Sequence, residues 1–134
     1  VKVVGVDPGR TTGLAFVTLT PTSRVLHYAD GERDVEHVGR LLLKWSSDNP
    51  DIVVVVEDFL GAGPRSADSN HTLKVVGFTY YLCQMEGIPS ALVPPQARLS
   101  SMDDARALAQ GRGVHATDAT AHALAWARRR WETP

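Results

Sequence analysis

Apolar residues recur along this chain in two rhythms, and the alternation between them divides it into strands and helices. Residues 2 to 7 have the pattern of a buried strand and run into Asp7-Pro8-Gly9-Arg10, a turn. Residues 12 to 19 predict a second strand and Val25 to Tyr28 a third, with Pro21 and Gly31 as punctuation. Val35, Val38, Leu41, Leu42 and Trp45 then fall at helical spacing, and Pro50 closes that helix. Ile52 to Val56 is apolar and β-branched throughout, as expected of a central strand covered on both faces, and it ends on Glu57-Asp58.

Gly61 to Ser69, rich in Gly, Pro and Ser, reads as a loop. The helix expected over roughly 70 to 86 has two apolar stripes, one of Leu73, Val76 and Tyr80, the other of Val75, Phe78, Leu82 and Met85. A helix apolar on more than one face is buried on more than one side. In so small a domain the second side points to a partner subunit. Ala91 to Val93 predicts a fifth strand, Met102 to Gln110 a short helix, and Ala116 to Trp131 an alanine-rich closing helix. A three-strand meander followed by alternating helix and strand predicts an α/β fold, with a five-stranded mixed sheet and helices on both faces.

Composition narrows the class. At 134 residues, 43% hydrophobic and 22% charged, residues 1–134 read as one folded domain. The longest apolar run, Ile52 to Val56, is far too short to span a membrane. The apolar N-terminus leads straight into a turn and a second strand, unlike a signal peptide. Cys83, the single cysteine, excludes an internal disulfide and a cysteine zinc site. It suits a reducing compartment, so the expected location is the cytoplasm. The net charge of −1 is not that of a strongly basic nucleic-acid binder. A cluster of metal-binding carboxylates would itself lower the sum, however, and basic residues do gather at Arg10, Arg65, Arg98, Arg106, Arg112 and Arg128 to Arg130.

Three segments carry candidate chemistry. Asp7 stands where a strand ends and a glycine turn begins, which suits either a ligand or an aspartate bonding its own turn. Glu57 ends the second apolar strand, at the end of parallel strands where open α/β sheets bind ligands. It could equally be a solvated strand-end acid, a role that also fits Asp58. Two acids ending two core strands favour a metal site. His115, Asp118 and His122 are spaced three and four apart and share one helical face. His115 and Asp118 read as ligands, whereas His122 reads as a satisfied core histidine. Three acids and a histidine from separate segments suit hard divalent cations such as Mg²⁺ or Mn²⁺.

Val4-Gly5-Val6-Asp7-Pro8-Gly9-Arg10-Thr11-Thr12-Gly13-Leu14-Ala15 resembles the opening strand and hairpin of the RuvC family of Holliday-junction resolvases, within the RNase H-like superfamily. Val54-Val55-Val56-Glu57-Asp58-Phe59 is similar to their second catalytic strand. His115-x-x-Asp118 with Ala123-Leu124-Ala125 is similar to their C-terminal motif. The resemblance implies Asp7, Glu57, His115 and Asp118 as catalytic metal ligands. It sets Arg98 near a functional lysine that contacts the scissile phosphate, and Phe59 where an aromatic stacks near the crossover. Phe59 also suits a place in the core. The chain is shorter than typical cellular members, as expected of a trimmed, phage-borne or organellar form.

The function this implies is hydrolysis of branched DNA with two Mg²⁺ ions per site, Mn²⁺ substituting, by a homodimer paired through helix 70–86. Arg10, Arg65, Lys74 and Arg98 would contact phosphates, about half of such basic residues being simple surface charges. Two alternatives stand beside it. The Asp7 hairpin also resembles the phosphate-binding turn of actin-like ATPases and sugar kinases, which need two such domains. A nuclease of the same fold acting on flaps, forks or RNA, or a non-cleaving DNA-binding relative, shares nearly all the same features.

Overall fold

The computed structural model describes residues 1–20, 25–58 and 67–132, with the side chains of 25–32, 67–69, 131 and 132 excepted. Its elements are β1 (Lys2–Asp7), β2 (Thr12–Leu19), β3 (Val25–Arg33), α1 (Val35–Asp48), β4 (Val53–Glu57), α2 (Ala67–Met85), β5 (Ser90–Val93), a 3-10 helix (Pro95–Ser101), α3 (Met102–Leu108) and α4 (Val114–Glu132). The strands form one mixed sheet in the order β3-β2-β1-β4-β5. β1, β2 and β3 are an antiparallel meander, and β4 and β5 run parallel to β1. The expected five-stranded α/β sheet with helices on both faces is what forms. β1, however, is the middle strand, where the sequence favoured Ile52 to Val56. No helix among the described residues is long and apolar enough to cross a membrane.

Period-two alternation sorts the strand residues between two cores. Val4, Val6, Leu14, Phe16, Val54 and Val56 face α1 and α2, packing with Val38, Leu42, Val76 and Cys83. Val3, Val17, Leu19 and Val55 face the other way, against Ala121, Ala123, Leu124 and Ala127 of α4 and Ala105 of α3. Asp7 has the parity of Val3, and Glu57 that of Val55, so both acids belong to the α4 face. This parity decides where the chemistry can lie.

α4 lies unusually close to the sheet because glycine leaves it room. A Cβ on Gly5 would overlap the carbonyl oxygen of Ala119, and one on Gly13 the carbonyl of His115. Gly13 is also the register partner of Asp7 across the β1–β2 pair. The same residue that admits the helix backbone therefore sits beside the first acid.

On the opposite face, α1 begins at Asp34, whose side chain accepts a hydrogen bond of 2.9 Å from the His37 N–H. Asp34→Ala should cost about 1 kcal/mol in a urea titration, the usual value of an N-cap, with the site unaffected. α2 turns Val75, Val76, Thr79 and Cys83 inward. Phe78, Tyr81 and Met85 remain 44%, 66% and 70% exposed. Neither stripe read from the sequence is buried as a unit. The inward face follows positions 76, 79 and 83, and a second apolar face lies open.

Candidate metal centre

β1 and β4 pair in parallel with Val6 opposite Val56, so the next residue of each, Asp7 and Glu57, end adjacent strands side by side. Neighbouring strands lie about 4.8 Å apart, which brings the two carboxyl groups within reach of each other. They are hydrogen-bonded. The turn after Asp7 is held by Thr12, whose hydroxyl donates to the Gly9 carbonyl at 3.1 Å. The turn does not need the aspartate, and Asp7 points its carboxylate to the site instead.

α4 supplies the opposite wall. His115 Nδ1 lies 2.9 Å from Asp7 Oδ2, a contact between residues 108 positions apart. Two turns further along, His122 Nε2 lies 3.0 Å from Glu57 Oε1. Asp118, between them in sequence, meets Arg98 of the 3-10 helix: Arg98 Nε is 3.4 Å from Asp118 Oδ1. The same guanidinium reaches Glu57, with Nη1 3.6 Å from Oε1. Arg98 also donates from Nη1 to the carbonyl of Pro95 at the start of its own helix. His115, Asp7, Glu57, Arg98 and Asp118 thus form one continuous line of polar contacts.

Burial sets the electrostatics. Asp7 is only 5% exposed. That burial pushes its carboxyl group up, the hydrogen bond and charge of Glu57 push it further, and His115 opposes them, for a pKa of about 7. Burial also pushes Glu57 upward. The hydrogen bonds from His122 and Asp7, with the charge of Arg98, outweigh it and hold Glu57 below its ordinary value. Burial and the neighbouring acid thus favour the protonated form of Asp7 up to about pH 7, while Glu57 is held toward its ionised form.

Of the residues singled out in the sequence, Asp7, Glu57, His115, Asp118 and Arg98 come together here. Arg98 bridges two acids, whereas the sequence reading had it only at a phosphate. Arg10 is exposed on the turn after Asp7, and Lys74 is exposed on α2. Phe59 and Arg65 lie outside the described residues. His122 is buried as expected of a core histidine, but it is not a satisfied one. Nδ1 has no hydrogen-bond partner among the described residues, and the other ring nitrogen belongs to the acid cluster. The signal for this was present in the sequence, since His122 shares a helical face with His115 and Asp118. Among the described residues, no three acid or imidazole donors already converge on a single coordination point. Arg98 stands between Glu57 and Asp118.

No family model matches the sequence, and no curated protein does either. Solved structures do match. Thermus thermophilus RuvC in complex with a Holliday junction substrate superposes with a TM-score of 0.75 at 16% identity, over 99% of this chain and 97% of that one. Thermus thermophilus RuvC gives a TM-score of 0.67 at 18% identity, over 99% and 98%. At such identities the likeness is one of architecture, and it extends end to end: the chain has the RNase H-like fold in the form carried by RuvC.

Proposed function

We propose that this chain is a metal-dependent endodeoxyribonuclease of the RuvC kind that resolves four-way DNA junctions by paired phosphodiester hydrolysis. One observation carries the reading: Asp7 and Glu57, in contact at the ends of adjacent parallel strands, face the histidine and aspartate of α4. The likeness to a structure bound to a Holliday junction supports the choice of substrate.

The residues present fit divalent cations. Arg98 is lodged between Glu57 and Asp118, so a positive charge already stands between two of the acids that a cation would join. Carboxylate oxygens with one imidazole are a donor set for Mg²⁺, with Mn²⁺ able to substitute. Asp7, Glu57, Asp118 and His115 would hold two such ions, which when bound activate a water and stabilise the leaving oxygen. In this reading Asp7 gives up its proton and Arg98 releases the acids, becoming free to meet the scissile phosphate. Arg10 and Lys74, both exposed, would contact backbone phosphates. The open face of Phe78, Tyr81 and Met85 would pair α2 with α2 of a second copy, so that two sites cut symmetric strands.

A comparison of four-way junction, fork, linear duplex and RNA–DNA hybrid, each with Mg²⁺, tests the proposal. Paired symmetric nicks in the junction are the expected outcome. Equal cutting of all four substrates would leave only a general nuclease, and cutting of the fork alone would make this a flap or fork enzyme.

A further inference from the structure

Glu57 projects from a strand end, 18% exposed, and a carboxylate there rotates freely unless something holds it. His122 is positioned to do so. Its side chain is fully buried, and Nε2 sits 3.0 Å from Glu57 Oε1. Arg98 Nη1 approaches the same oxygen at 3.6 Å.

Nδ1, without a hydrogen-bond partner among the described residues, points to the form of the ring. A neutral imidazole protonated on Nε2 donates to Glu57 and leaves only an acceptor lone pair unmet. A ring protonated on Nδ1 would set two lone pairs against each other and bury an unpaired N–H. An imidazolium would donate to Glu57 but bury both a charge and that same N–H. An unmet acceptor is the least costly of the three. We infer that His122 is a positioning residue. Its Nε2–H commits Glu57 Oε1 to the protein and leaves Oε2 for an incoming cation. The inference rests on the metal-site reading above and extends it to a histidine that touches no substrate.

Two substitutions separate this role from packing. His122→Leu fills the space without a donor, and His122→Gln keeps an amide N–H directed at Glu57. Binding of Mg²⁺ alone to the full chain is read by calorimetry, with thermal unfolding followed in parallel. Loss of such an outer hydrogen bond costs about 10–100-fold in metal affinity, so His122→Leu should weaken Mg²⁺ by that factor and His122→Gln should recover most of it. Equal affinity in wild type and His122→Leu, or equal loss in both variants, overturns the inference and leaves the metal site standing. A wild type that binds no Mg²⁺ removes the metal site, and this inference with it. Nitrogen-15 NMR of the metal-free wild type reads the ring directly, whether or not the variants fold. A proton on Nε2 supports the assignment, and a neutral ring carrying it on Nδ1 overturns it.

Discussion

Asp7→Asn should lose Mg²⁺-dependent cleavage by about 10³-fold or more, while the metal-free protein becomes more stable at pH 8 than the parent. The first effect follows from losing a ligand, because metal assistance supplies several kcal/mol of transition-state stabilisation. The second follows from the buried acid. Asp7 has a pKa of about 7 in the folded chain against 3.8 for the unshifted group. Below that lower value both folded and unfolded chains hold the proton, and burial of the neutral acid carries no charge penalty. As pH rises from about 4 to about 7 the unfolded chain releases its proton and the folded one does not. Stability then falls, by at most about 1.4 kcal/mol per pH unit, and the loss is complete above pH 7.

Glu57, held low, acts in the opposite direction. Its contribution is present above its ordinary value of 4.5 and is lost as pH falls below it, so the two windows separate. Asparagine never ionises, yet its amide can donate to Glu57 as the protonated aspartic acid does. The variant should therefore lack the decline between pH 4 and 7. Denaturant titrations across that range, paired with a junction-cleavage assay, check both halves. An unchanged pH slope, or cleavage surviving the substitution, would count against the site.

Gly13→Ala should be, with Gly5→Ala, among the most damaging changes of a single methyl group. Overpacking a core typically costs about 1–3 kcal/mol, and flexible side chains usually absorb part of it. Here the obstacle is the backbone of His115, which cannot move without α4. We expect a loss of more than about 3 kcal/mol, with cleavage falling further than stability because His115 is displaced from Asp7. Gly77→Ala is the matching control. Within the single chain nothing lies near its missing Cβ, so as a helical glycine replaced by alanine it should gain about 0.5–1 kcal/mol when the monomer is measured. Urea unfolding of the pair measures the contrast, and equal stabilities would show that α4 does not depend on the glycine.

The elements that position the site were legible because each has a strong rhythm. β1, β2 and β4 are apolar runs, which marked the strands and the acids at their ends; that Asp7 and Glu57 share a face follows only from the register of β1 against β4. β3 extends from the expected Tyr28 to Arg33 through a polar stretch. It is an edge strand, bonded on one side only to β2, and such a strand needs no apolar signature. The 3-10 helix after β5 has no periodicity to read, and Arg98 was legible through the resemblance as a phosphate contact but not as a bridge between acids. Its two acids come from β4 and α4. His122 looked like core because its partner lies 65 positions away. Local patterns report which face a residue occupies, but not which side chain meets it there.

The 108-position span between His115 and Asp7 bears on the order of assembly. β1 and β2 can pair early, since a short turn joins them and little chain entropy opposes closure. The proposed ligand set would be complete only when α4 docks across Gly5 and Gly13, among the most distant contacts of the chain. A divalent ion bound as proposed would find only part of its site in a partly folded molecule. It would act as a brake on unfolding, not as a nucleus for folding.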